Sequence, residues 1–332
     1  MKALRCNQHG GPELLTVEDI AAPVPKAREV LVSVKAAGVN FPDALIIQNK
    51  YQFKPALPFT PGGELAGVVT AVGDGVTRVR VGLGDVVIGF TGWGAFAELA
   101  VLPAEGLIPM PKGMPFEIAG SFLMTYGTSW HALKDRAQLK AGETVLVLGA
   151  AGGIGIGIGI GIAAIEIFKA LGGCVIAAAS STEKLQICRA MGADETINYS
   201  CEDLRERVKA MTGGRGVDVV CDPVGGKFTE PALRSLAWRS RLLVIGFADG
   251  EIPRLPLNLP LLKGCAIVGV FWGDFLKRQP DAAAADLGEL SRLYAQSSIA
   301  PLVSLRCPLE GAGGAIEALM KRQVIGKAVV LP

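Results

Sequence analysis

Apolar residues run without polar interruption through Val145-Leu-Val-Leu148, and a run of this kind ending in small residues predicts a strand buried on both faces. A glycine-rich turn follows, and then Ala163 to Leu171 places apolar side chains at helical spacing. Cys174-Val-Ile-Ala-Ala-Ala-Ser180 reads as a second strand, Thr182 to Met191 as a helix, and Val217–Cys221 and Leu242–Gly246 as further strands. This alternation, from about 125 to 265, predicts an α/β unit with a doubly wound parallel sheet of Rossmann type. Residues 1 to about 124 have another rhythm. Val30–Ala36, Gly67–Gly73, Asp85–Gly89 and Ala97–Val101 are short β-like pieces broken by Gly and Pro, which predicts a compact, partly open β-barrel. Between them Asn40-Phe-Pro-Asp43 reads as a helix start, with Asn40 able to cap and Pro42 tolerated in the first turn. Ala266–Trp272, a helix near 282–295 and the closing Gly326–Leu331 return to the first domain or edge the sheet.

The turn after Leu148 has the context of a dinucleotide site: glycines let the backbone approach a pyrophosphate, and the following helix offers free N–H groups and the positive end of its dipole. The Gly-x-Gly-x-x-Gly spacing fits only at 150, 152 and 155, with Ala150 in the first place. Beyond it, Gly153 to Ile162 is five consecutive Gly-Ile pairs. A two-residue alternation matches no helix face, and each helical glycine costs about 1 kcal/mol relative to alanine. The uncharged span Thr144–Ile165 is long enough to raise a membrane helix, but its flanks read as soluble α/β units.

Composition narrows the classes. The 332 residues suit two domains, and a net charge of +2 without a long basic run implies neither nucleic acid nor an acidic membrane as partner. Seven scattered cysteines form no Cys-x-x-Cys pair and only two histidines are present, so no zinc or other metal site is expected. The start Met-Lys-Ala-Leu-Arg-Cys lacks the apolar core of a signal peptide, which makes a reduced, cytoplasmic setting the expectation.

Val39-Asn-Phe-Pro-Asp43, Tyr51-Gln-Phe-Lys-Pro55, Pro58-Phe-Thr-Pro-Gly62 with Glu64, Gly149-Ala-Ala-Gly-Gly153, Gly192-Ala-Asp194 and Thr212-Gly-Gly-Arg-Gly-Val-Asp218 occur in order along the chain. Together they resemble the zinc-free, zeta-crystallin-like quinone oxidoreductases of the medium-chain dehydrogenase/reductase superfamily. The resemblance implies a GroES-like catalytic domain, here 1–124 and 266–332, split around a Rossmann domain at 125–265. It also implies NADPH as cofactor and a homodimer. Zinc-dependent relatives carry a His before the Glu of Gly-His-Glu; Gly63 precedes Glu64 in this chain. The family passes from its glycines almost directly into the helix, so about six residues are extra here. Six more helical residues would turn the downstream face by roughly 240°. A loop around 156–162 followed by a normally packed helix is therefore expected.

Candidate chemistry follows from these placements. An NAD site carries an acidic residue at the end of the second strand, whereas Ser180 and Ser181, with Lys184 and Tyr199 beyond, suit a 2′-phosphate. Ser180 with Glu183 also has the form of a capping box. Gly152, Gly153 and Ile154 line the expected phosphate turn, and Thr128 with the backbone at Gly246 and Phe247 would hold the nicotinamide carboxamide by resemblance. The resemblance places Asn40 beside the nicotinamide and the acceptor oxygen. Asp43 and Tyr51 are candidate pocket residues, Tyr51 a possible proton donor, although Leu45 stands where some relatives have a second Tyr. Phe271 and Trp272 are candidates to wall a planar acceptor, and His131, on an apolar helical pattern, reads as structural. These features point to an NADPH-dependent, zinc-independent reductase of quinones or other conjugated carbonyls. Enoyl-thioester reduction is the competing activity, for which no basic patch suited to acyl-CoA is evident. A non-enzymatic crystallin-like or RNA-binding role has no support in the charge.

Overall fold

The computed structural model describes residues 1–76, 81–151 and 159–332, and the chain divides into two compact units. The first comprises Met1–Met124 and Pro301–Pro332, the second Thr125–Ala300. Residues 266–300, assigned above with the barrel, thus fall in the second unit. The cause is pairing: Ala266–Gly269 lies parallel to Leu236–Val244 and extends that unit's sheet.

In the first unit a seven-stranded sheet is built around the long strand Glu29–Val39. One edge of it pairs along its length with Glu64–Val72, with register shifts that bend the ladder. Its other edge is shared: Leu99–Pro103 pairs near the start, and Lys327–Leu331 pairs with Ala37–Val39. Val86–Phe90 and Leu107–Pro109 continue the sheet beyond Glu64–Val72, while Val303–Pro308 lies parallel to Lys327–Leu331. Lys2–Cys6 and Leu15–Asp19 form a separate antiparallel pair. The strands expected at Val30, Gly67, Asp85 and Ala97 are present with ends shifted by one to three residues.

The second unit is a six-stranded, wholly parallel sheet. Its order is Glu195–Asn198, Cys174–Ala179, Thr144–Leu148, Val217–Asp222, Leu236–Val244, Ala266–Gly269. The direction of winding reverses between Thr144–Leu148 and Val217–Asp222, the switch point at which such folds bind ligands. Val145 to Leu148 are fully buried, as the unbroken apolar run requires. The span that raised a membrane helix contributes the strand Thr144–Leu148 and part of the helix Ile160–Ala170. Among the described residues no helix is long and apolar enough to cross a membrane.

That helix begins at Ile160, three residues before the expected Ala163, with Gly159 as its N-cap at φ 87°. Of the loop expected at 156–162, residues 160–162 are helical instead, and 156–158 lie outside the described residues. Gly161 explains the early start. A Cβ there would stand 2.4 Å from the Ala150 carbonyl oxygen and 2.6 Å from its Cα, so only glycine lets the first helical turn lie against the strand-end turn. Ile160 to Phe168 are all buried, including Glu166, whose carboxylate accepts hydrogen bonds from the Tyr126 hydroxyl and the Ala300 N–H. Trp272 starts a helix, Trp272–Arg278, where a strand was expected to continue. Its indole fills the space beside Gly127 and is core, while Phe271 is exposed.

Candidate active site

In the first unit four polar side chains from distant parts of the sequence meet in the interior. The helix Phe41–Ile47 starts from Asn40, which has the extended backbone of an N-cap, and Pro42 sits in its first turn. Asp43, at the third position, turns back and accepts the Asn40 backbone N–H at 2.7 Å. The Asn40 side chain is engaged elsewhere: Nδ2 donates to Glu64 Oε1 (2.7 Å) and to the Gly38 carbonyl (3.3 Å), while Oδ1 accepts from Lys327 Nζ (2.5 Å). Lys327 also pairs with Glu64 Oε1 at 3.1 Å, and Glu64 Oε2 accepts the Met124 N–H at 2.9 Å. Glu64 and Lys327 are 0% and 2% exposed, so this is an ion pair held out of water. Gly38 makes room for it, since a Cβ there would fall 2.4 Å from Glu64 Oε1.

Asp43 is also buried, and burial pushes its carboxyl up to about 7, against the opposing pull of the Asn40 and Gly62 N–H groups and the Lys327 charge. Glu64 adds to the rise. Tyr51, on the bend after the helix, packs edge-on against Phe53 with ring centres 5.6 Å apart. Burial and the charge of Asp43 raise its phenol. The structure thus groups Asn40 and Asp43 with Glu64 and Lys327, and couples Tyr51 electrostatically to Asp43. Lys327 was missed in the sequence because it lies in a short apolar strand whose partners are hundreds of residues away.

In the second unit Ser180, Ser181, Tyr199, Gly246 and Phe247 follow the carboxyl ends of parallel strands. Ser181, not Ser180, caps the helix Thr182–Ala190, accepting the Lys184 N–H at 3.4 Å. The extended backbone that an N-cap requires falls one residue later than the capping-box spacing placed it. Tyr199 follows the strand Glu195–Asn198; its N–H reaches the Ala179 carbonyl (3.2 Å), and its ring lies 4.5 Å from that of Phe228. Gly246 and Phe247 sit in the loop after Leu236–Val244, joined to the turn after Val217–Asp222 through Ile245 N–H to Asp222 O (3.0 Å). That turn is fixed by buried Asp222, a residue the sequence reading passed over, which accepts from the Val224 and Gly225 N–H groups and the Thr229 hydroxyl. Thr128 is buried next to Ser129, whose hydroxyl reaches the Ile160 carbonyl at 3.0 Å. Gly152, Gly153 and Ile154 lie outside the described residues. His131 stacks on Phe275 (4.1 Å) and bonds Asp135 at 2.8 Å. With Asp286 these two form the one group of metal-ligand-type side chains that converges among the described residues.

The alcohol dehydrogenase GroES-like domain family matches residues 26–112, and the zinc-binding dehydrogenase family matches 159–289. A quinone oxidoreductase of Pseudomonas aeruginosa is 36% identical to this chain over 332 residues, 100% of this chain and 99% of its own. The chain belongs to the quinone oxidoreductase family of medium-chain dehydrogenases/reductases. A quinone oxidoreductase-like protein 2 homolog of Nematostella vectensis is 35% identical over 99% of this chain and 88% of that protein. Among solved structures, the Escherichia coli quinone oxidoreductase complexed with NADPH superimposes with a TM-score of 0.91 at 30% identity, covering 100% of both chains. As a quinone oxidoreductase-type protein the chain is an oxidoreductase enzyme, with a GroES-like first unit and a Rossmann second unit.

Proposed function

We propose that the chain is an NADPH-dependent reductase that delivers hydride to quinones or other conjugated carbonyls without zinc. The observation that carries the cofactor choice is the end of the strand Cys174–Ala179, where Ser180 and Ser181 stand in place of an acidic ribose ligand. Hydroxyls and an ammonium, from Ser181, Lys184 and Tyr199, fit a 2′-phosphate, which a carboxylate would repel. NADPH was the ligand of the Escherichia coli relative. The expected assignments of Gly152, Gly153 and Ile154 to the pyrophosphate, and of Thr128, Gly246, Phe247 and Phe271 to the nicotinamide end, belong to the same reading.

The nicotinamide, when bound, supplies the hydride. A quinone that gains a hydride needs one proton to become the hydroquinone, and Asp43 is placed to hold it: a buried carboxyl with its proton retained near neutrality. Tyr51, which feels the charge of Asp43, is the hydroxyl through which that proton passes, and Asn40 stands beside the acceptor oxygen. Zinc independence rests on Gly63 before Glu64 and on an ammonium, Lys327, as the cation bound to Glu64.

A homodimer in a cytoplasmic setting completes the reading. The outermost strand Ala266–Gly269 and the adjoining Trp238, Leu257, Leu261 and Leu262 expose apolar surface that a second copy would cover. Seven free thiols agree with a reducing compartment.

The test is NADPH and NADH oxidation by purified protein across quinones, enones and enoyl-CoA esters. Quinones or enones with NADPH are the expected pair. Turnover confined to enoyl-CoA esters, or a preference for NADH, overturns the proposal. Lys184→Ala is expected to raise KM for NADPH at least tenfold while leaving NADH nearly unchanged; equal losses remove Lys184 from the 2′-phosphate.

A further inference from the structure

Lys327 stands on the closing strand Lys327–Leu331 and is 2% exposed. Its ammonium donates to Asn40 Oδ1 at 2.5 Å, Glu64 Oε1 at 3.1 Å and the Val39 carbonyl at 3.4 Å, which engages all three of its protons. Packing alone does not account for such an arrangement. Taking an ammonium and a carboxylate out of water costs several kcal/mol per ion, and apolar side chains of similar volume often serve stability as well or better.

The geometry gives the pair another task. The oxygen of the Asn40 amide is held by the ammonium and its nitrogen by the Glu64 carboxylate and Gly38 carbonyl. Turned over, the amide would set its N–H₂ against a cation and its oxygen against an anion. The two charges therefore admit one orientation. They also act on Asp43, which is surrounded by the Asn40 and Gly62 N–H groups, Lys327, Glu64 and Tyr51. One ammonium already faces one carboxylate in this interior, so a second carboxylate would be unbalanced charge.

We propose that Lys327 is a positioning residue for the reaction: paired with Glu64, it locks the Asn40 amide and balances the charge beside Asp43. This inference rests on the reductase reading of Asn40 and Asp43. In the folded protein the Lys327 charge lowers the Asp43 carboxyl and Glu64 raises it, with burial outweighing both. Removing Lys327 alone thus moves the Asp43 titration upward, whereas removing one charge of each sign returns it toward the wild-type position.

Two readouts on the full-length protein separate the proposal from the function it builds on. The Asp43 carboxyl stretch is followed by infrared difference spectroscopy across pH, assigned through its loss in Asp43→Asn. Steady-state rates with NADPH and 1,4-benzoquinone give kcat, KM and the pH profile. Lys327→Met is expected to shift the carboxyl titration, and the alkaline fall of kcat/KM with it, to higher pH. It lowers kcat by roughly 10²-fold, the scale of a misplaced reacting group, and changes KM for NADPH less than about twofold. Glu64→Gln with Lys327→Met restores the pH position but not kcat, and Lys327→Arg keeps the pH position by keeping the charge. Should Lys327→Met fail to fold, Glu64→Gln alone, checked by thermal unfolding, is expected to shift the carboxyl titration to lower pH. An unshifted titration in Lys327→Met, or in Glu64→Gln where Lys327→Met does not fold, or a fall in rate confined to KM, overturns the proposal. A shifted titration in a protein inactive with every quinone and enone overturns the reductase reading and leaves the charge device standing.

Discussion

Asp43 couples proton binding to folding. Its carboxyl retains a proton in the folded protein up to about 7, whereas in the unfolded chain it ionises near 4. Between those values the native state holds the extra proton, so the Asp43 contribution to stability falls as pH rises from about 4 to about 7 and is level beyond. The full effect is on the order of 4 kcal/mol. Asp43→Asn keeps an oxygen to accept the Asn40 N–H and cannot ionise. Its stability relative to wild type should therefore climb between pH 5 and 7.5 in urea unfolding and then stay constant; a difference independent of pH would remove Asp43 as the buried titrating group. Asn40 and Asp43 could be picked out in the sequence because they share one short motif, and Tyr51 because it opens the next. Glu64 was visible only as part of a resemblance. Lys327 was not visible at all: a lysine beside Ala-Val-Val reads as a strand end in water, and only the pairing with Ala37–Val39 carries it inside.

Among the elements, the helix Ile160–Ala170 shows what pattern reading can and cannot reach. Its apolar character was plain from Ala163 onward. Its start was hidden because Gly-Ile alternation has no helical face, and what decides it is the contact of Gly161 with the Ala150 backbone. Gly161 permits the close approach of this helix to the backbone at Ala150; Gly155, the last glycine of the expected frame, lies outside the described residues. Alanine normally stabilises a helix by about 1 kcal/mol over glycine. Gly161→Ala should instead destabilise, by roughly 1–3 kcal/mol as overpacked sites do, and weaken NADPH. Gly288→Ala, in the helix Pro280–Ala295 with nothing within 4 Å of the added carbon, should show the ordinary gain. Equal signs in thermal unfolding would refute the contact. The two-residue period adds a second test: removing any six consecutive residues within Gly153–Ile162 yields one and the same polypeptide. That deletion, which retains the Gly-Ile-Ala-Ala sequence of Gly161 to Ala164, should leave NADPH affinity unchanged or improved. A large loss would assign the repeat itself to the cofactor site.

For the whole molecule, both units were legible as fold types because a parallel core and a sheet of short strands leave different hydrophobic rhythms. The boundary at 300 was not, since Ala266–Gly269 is mostly exposed and its apolar run gives no sign of which sheet it joins. If the chain works without zinc, with the ammonium of Lys327 as the cation at Glu64, activity should survive exhaustive chelation and purified protein should carry no stoichiometric zinc by elemental analysis. Loss of activity restored by zinc would overturn that reading.

The first unit is assembled from two stretches separated by the 125–300 unit, and this has a consequence during translation. At about 5–20 residues per second, the ribosome spends on the order of 10–35 s making the intervening segment. Through that interval the nascent chain has Asn40 and Glu64 without the ammonium that holds them, and Glu29–Val39 without its neighbour Lys327–Leu331. The Rossmann unit can fold in that time; the pocket cannot. The four polar side chains can therefore meet only after the last strand emerges, and until then the edge at Ala37–Val39 lacks that partner.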